Sequence, residues 1–214
     1  MSVALFHDLE PRERLVLVSG YEDGQVMVHT HSGAFDDKTH GWVKIMMGKP
    51  HSQPVLSLDV FPSRRHFVTS SADAIIAKFS LDLDSTQLAS AQNAEKSINT
   101  KHAGQQGLNV RADGKIFATA GWDGRTRVYS CKTMKELAVL KWHKDGCYAT
   151  NFAKISTPNE NNTSGEEAHD ESTEIATRKS ALDHIKQERE VKSRSTHWLA
   201  AGGKDAKITL WEVY

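Results

Sequence analysis

The stretch AGWDGRTRVY, Ala120 to Tyr129, sets a Trp-Asp-Gly turn between a run of small residues and an alternating strand. Asp-Gly between strand-like segments is a strong hairpin signal. The Asp of such a turn is either chemistry or part of the turn itself, and repetition decides between them. With Asp123 as the anchor, three more copies line up: SGYEDGQVMVH around Asp23, TSSADAIIAKF around Asp73 and AGGKDAKITLW around Asp205. In every copy a ring-bearing side chain lies six residues after the Asp: His29, Phe79, Tyr129 and Trp211. The spacing is 50 from Asp23 to Asp73, 50 from Asp73 to Asp123 and 82 from Asp123 to Asp205, the last interval holding an insertion. An active site needs one Asp, not four at equivalent places.

A period of roughly 40 to 50 residues is that of WD-type repeats. Each copy reads as a short buried strand (Phe67-Val68, Ile116 to Ala118, Trp198 to Ala200), the turn, then alternation as in Val26/Val28 or Ile208/Leu210. Another strand precedes each pair, as in Val55 to Phe61 and Cys147 to Phe152, and Trp42–Met46 and Glu136–Leu140 read as outer strands. Four strands per repeat, radially arranged, predict an all-β WD40 β-propeller over residues 1–214 with about four blades. Propellers of this kind usually close with about seven blades, so the chain reads as part of a longer one, with exposed faces and edges that favour association.

The same alignment suggests what Asp123 does. His51, His102 and His143 each lie just before a first strand. In WD-type blades such a His, a Ser/Thr, the turn Asp and a terminal ring donor form a hydrogen-bonded chain that specifies the blade. The fullest set expected is His102, Thr119, Asp123 and Tyr129. The set His51, Thr69 and Asp73 ends in Phe79, which has no donor, and the set His143, Asp205 and Trp211 has Ala201 where the hydroxyl belongs. Immediately before the turn Asp stand Glu22, Ala72, Trp122 and Lys204. Trp122 is there either shielded by neighbouring loops or available as a partner contact.

Composition bounds the rest. Lys+Arg and Asp+Glu each number 27 in 214 residues, so no global field recruits nucleic acid or an anionic membrane. The apolar runs are far short of the ~20 residues that span a bilayer, and the first residues carry no signal-peptide pattern. Cys131 and Cys147 lack CxxC spacing and read as reduced thiols. The eleven histidines show no HxxxH or HExxH spacing. There is no GxxxxGK[ST] phosphate cradle and no GxSxG elbow. Catalytic, metal and cofactor sites are therefore not expected. Residues 154–196 interrupt the last copy: Ser156 to Glu174 is acidic and poor in aliphatics, predicting disorder, and the basic stretch after it predicts a short helix using Ile175, Leu182, Ile185 and Val191. It reads as a tolerated surface loop or as a docking helix.

These copies resemble WD40 repeats. The ordered trio GYEDG, ATAGWDG and AAGGKD further resembles the fungal ASTRA-associated protein 1 family, itself similar to the animal guanine nucleotide-binding protein subunit beta-like protein 1. The resemblance covers the repeat copies and leaves out the insertion. It implies a non-enzymatic, nuclear or nucleocytoplasmic scaffold within the ASTRA assembly. That assembly is linked to chromatin remodelling and to maturation of phosphatidylinositol-3-kinase-related kinases with a co-chaperone complex. Protein subunits are the expected partners, without direct nucleic-acid or membrane binding. A G-protein-beta-like signalling subunit is the alternative, and a propeller hydrolase with a site in the central channel a third.

Overall fold

Wherever the repeat places an Asp turn, the flanking alternation pairs into an antiparallel hairpin. The computed structural model describes residues 2–9, 14–31, 41–83, 90–91, 93–155 and 181–213. The first blade is β1 (Ser2–His7), β2 (Leu15–Gly20), β3 (Val26–His31) and β4 (Val43–Gly48). In the second, β5 (Val55–Val60), β6 (His66–Ser71) and β7 (Ile75–Ser80) are followed by β8 (Ser90–Ala91) and β9 (Lys96–Asn99). The third is β10 (Gln105–Val110), β11 (Ile116–Gly121), β12 (Arg125–Ser130) and β13 (Glu136–Lys141). The fourth is β14 (Cys147–Phe152), β15 (Trp198–Gly203) and β16 (Ile208–Glu212), with α1 (Ala181–Ser195) between its first two strands. Each sheet runs in chain order, apart from β8, which crosses back to pair in parallel with β4. The architecture is a partial β-propeller of about four blades.

The core lies between blades. Val16, Val18, Val26 and Val28 of the first blade pack on Val55, Phe67 and Phe79 of the second. Val68 and Ile76 then meet Leu108, Phe117 and Tyr129, and Ile116, Ala118 and Val128 meet Phe152 and Leu199. The Phe67–Phe79 and Phe117–Tyr129 rings stack at 5.0 and 5.1 Å, pairs worth about 0.5–1.5 kcal/mol beyond their burial. Among the described residues the two outward faces of the array have no such cover. Ile208 and Leu210, at the places of the fully buried Val26 and Val28, are 77 % and 67 % exposed, and Val3 and Leu5 are 67 % and 61 % exposed.

Each hairpin turn uses a left-handed residue directly after the Asp: Gly24, Ala74, Gly124 and Ala206, with φ of 84°, 69°, 75° and 57°. Gly24 is required twice over, because a Cβ there would sit 2.1 Å from the His51 carbonyl oxygen. This approach seats the first blade's turn on the loop that enters the second.

Two regions go beyond what the sequence showed. The KSIN sequence of β9 gives no apolar alternation, so the second blade's outer strand is legible only in the structure. In the insertion, residues 156–180, including Ile175 and the stretch expected to be disordered, lie outside the described residues. The described part of the helix spans Ala181–Ser195, and its Ile185 and Val191 are 44 % and 60 % exposed. Its end is fixed to the blade by the Trp198 indole, which donates to the Ser193 carbonyl at 3.1 Å.

Candidate functional site

The four turn aspartates share one role. Their Oδ1 atoms accept from the backbone N–H two residues on: Gln25 to Asp23 at 3.0 Å, Ile75 to Asp73 at 2.9 Å, Arg125 to Asp123 at 3.3 Å and Lys207 to Asp205 at 3.3 Å. That is an Asx-type turn, in which the side chain replaces a missing backbone partner.

What lies behind each Asp differs from blade to blade. In the second blade His51 places Nδ1 3.3 Å from Asp73 Oδ1 and Nε2 2.9 Å from Thr69 Oγ1. The carboxylate fixes the proton on Nδ1, so Nε2 accepts from the Thr69 hydroxyl. In the fourth, His143 Nδ1 lies 3.0 Å from Asp205 Oδ1, as expected, but its Nε2 meets the Thr209 hydroxyl at 3.1 Å. The Trp211 indole donates to the same oxygen at 3.0 Å. The hydroxyl that Ala201 cannot supply thus comes from the other strand of the hairpin, where Thr209 pairs with Ala201.

The third blade departs furthest from its expected set. His102 comes no closer to Asp123 than 3.6 Å, and its side chain is 40 % exposed. Arg127 grips the carboxylate instead, with Nη1 3.0 Å from Oδ1 and Nη2 2.6 Å from Oδ2. Thr119 donates to Gln105 Oε1 at 2.7 Å, and Gln105 Nε2 donates to the His102 carbonyl at 3.0 Å. The reason is one residue of loop. His51 and His143 stand four residues before the strands that open at Val55 and Cys147, whereas His102 stands three before Gln105. That spacing was readable in the sequence. Tyr129 stacks on Phe117, and burial pushes its hydroxyl up to about 12.

Burial sets the electrostatics. It would raise Asp123, but hydrogen bonds and charge from Arg127 outweigh it and hold the carboxyl below the usual range. Asp205 is likewise held down, with His143 outweighing burial. Burial pushes His51 below the usual imidazole range despite the pull of Asp73.

The Thr69–His51–Asp73 and Thr209–His143–Asp205 chains have the connectivity of a nucleophile, base and orienting acid. They are sealed: Thr69 is 0 % exposed, His51 2 % and Thr209 8 %. A nucleophile without access to substrate is a hydrogen-bonded brace. The thiols are equally withdrawn, burial pushing Cys131 up to about 12. Among the described residues no group of three or more His, Cys, Asp and Glu side chains is placed to hold a metal ion.

Trp122 is where the sequence left two readings, and it satisfies part of each. Its indole lies flat on Gly104, where a Cβ would come within 2.0 Å of the ring, and Nε1 donates to Gln106 Oε1 at 2.7 Å. It nevertheless remains 45 % exposed. The side chain is rigidly mounted and open on its outer side.

A family model described as WD domain, G-beta repeat matches residues 42–78. These residues run from the outer strand of the first blade through the first three strands of the second, so the sequence repeat straddles two blades. An Aspergillus niger protein named ASTRA-associated protein 1 is 47 % identical over 96 % of this chain and 51 % of its own length. The chain is a WD-repeat relative of ASTRA-associated protein 1. A Penicillium rubens ASTRA-associated protein 1 is 46 % identical over 100 % of the chain and 54 % of itself. The mouse guanine nucleotide-binding protein subunit beta-like protein 1 is 35 % identical over 94 % of the chain and 45 % of itself. The chain therefore spans about half the length of the relatives it matches.

Proposed function

We propose that this chain is a non-enzymatic WD-repeat scaffold of an ASTRA-type assembly, working in the nucleus and also in the cytoplasm. There it supports chromatin remodelling and the maturation of phosphatidylinositol-3-kinase-related kinases with their co-chaperones. The observation that carries this reading is 47 % identity, along nearly the whole chain, to a protein named for its ASTRA association. The sealed Thr–His–Asp chains support it, because the residue types that could run acyl transfer are spent on holding blades together.

The similarity to the mouse beta-like protein favours a second reading, a G-protein-beta-like signalling subunit. Purification of a tagged chain from a fungal host, with mass spectrometry of what accompanies it, separates the two. Chromatin and kinase co-chaperone subunits are the expected companions. A gamma-like helical subunit in their place would overturn the scaffold reading. Deleting residues 156–194 in the same experiment tests α1: unchanged companions make the insertion a tolerated loop.

A further inference from the structure

The turn face of the third and fourth blades gathers aromatic rings and lysines around one glycine. A Cβ on Gly146 would lie 3.0 Å from the Trp122 carbonyl oxygen and 3.3 Å from the Tyr148 hydroxyl, and the Gly146 carbonyl accepts from Lys204 N at 2.8 Å. Trp122, Tyr148 and Lys204 therefore share a single small area. Trp142 stands in the loop that leads to Gly146, with Lys207 Nζ 5.3 Å above its ring. Trp122, Tyr148 and Trp142 are 45 %, 41 % and 51 % exposed, three of the five exposed Trp and Tyr side chains among the described residues.

The loops and turns that carry these side chains are rich in lysine although the whole chain is neutral. Lys101, Lys144, Lys204 and Lys207 are all exposed. Asp123 and Asp205, on the turns of the same two blades, are committed to Arg127 and His143, and Asp145 stands beside Lys144 in the loop that enters the fourth blade. Rigid aromatics in a cationic rim recruit an anionic partner and then hold it by apolar contact. The mounting of Trp122 on Gly104 and Gln106 lowers the ordering cost of binding.

We infer that this face docks an acidic, extended segment of a partner protein, with an apolar or aromatic residue of that segment seated on Trp122 and Tyr148. A nucleic acid fits less well. Phosphate recognition favours the guanidinium fork, yet Arg127 is buried and Arg125 is drawn to within 4.0 Å of Asp123. The docking names the partner chemistry of the proposed scaffold and so rests on that reading.

Panning a library of random linear peptides on the immobilised full chain tests it. Enriched peptides are expected to combine Asp and Glu with one aromatic or large apolar residue. Their affinity should fall about tenfold or more in Trp122→Ala and in the Lys144→Glu/Lys204→Glu double variant, and should weaken as salt rises. The double variant changes only exposed side chains, so a normal melting transition accompanies its loss of binding. Enrichment of peptides without acidic residues, indifference to both variants, or tighter binding of a single-stranded RNA than of any peptide would overturn the inference. None of these results touches co-purification with the assembly, so failure here is distinct from failure of the scaffold reading.

Discussion

Burial lowers the proton affinity of His51, and the nearby Asp73 only partly restores it. In the unfolded chain this imidazole takes up a proton near its ordinary value of 6.5, while in the folded chain it does so only at lower pH. Its contribution to stability is therefore complete above 6.5 and declines as pH falls through that value. His29 and His66, more exposed, shift in the same direction, again chiefly through burial. The carboxyls of Asp113, Asp123 and Asp205 sit below their usual 3.8, so their contribution is kept until the pH falls beneath that figure. Melting curves between about pH 7.5 and about pH 5.5 should therefore report the histidines. We expect the wild-type transition to drop across this range and His51→Gln to flatten the drop; an unchanged slope in the variant contradicts the assignment.

At the scale of elements, the turns decide how well each hairpin closes. A non-glycine residue in the left-handed region costs roughly 1–2 kcal/mol, and glycine gives back about 0.5–1 kcal/mol of that through unfolded-chain entropy. Ala206 is exposed and Ala74 only half-buried, so neither loses packing on truncation. Ala74→Gly and Ala206→Gly should each raise stability by about 0.5–1 kcal/mol, read as a shift in the denaturant midpoint. Gly24→Ala should do the reverse and cost more, because its Cβ meets the His51 carbonyl. The hairpins were legible in the sequence, since turn chemistry and alternation agree there. The partners behind the aspartates were less so. Arg127 and Thr209 both stand four residues after their Asp, opposite Thr119 and Ala201 across the hairpin. Only the pairing register shows that either strand can supply the polar partner. The bridges between first strands were missed as well: Asp59 Oδ2 accepts from Val110 N at 2.7 Å, and Asn109 Oδ1 from Phe152 N at 2.8 Å. Asp59, Asn109 and Asn151 are each the fifth residue of their strand, a recurrence readable once the strand starts are fixed.

Among the described residues, three blade interfaces are sealed by apolar clusters and the two end faces are open. Ile208 and Leu210 present to solvent what Val26 and Val28 bury, and contiguous apolar patches of this kind drive association. The chain alone should sediment as a concentration-dependent mixture, and Ile208→Lys with Leu210→Lys should shift it toward the monomer. A wild-type chain that is monomeric at every concentration, with a sharp unfolding transition, contradicts this. Interfaces and turns alike recur at equivalent positions of successive blades, and the repeated Asp holds its own turn in each. Thermal unfolding of Asp73→Ala, Asp123→Ala and Asp205→Ala side by side tests that claim most directly. All three should melt below wild type, and Asp123→Ala should melt lowest, by about 3 kcal/mol, because it takes the two-point partner from the buried Arg127 guanidinium and leaves Glu136 at 3.6 Å. If Asp123→Ala instead melts with the wild type while its two sister variants fall, Asp123 is not one of four equivalent parts and the account fails.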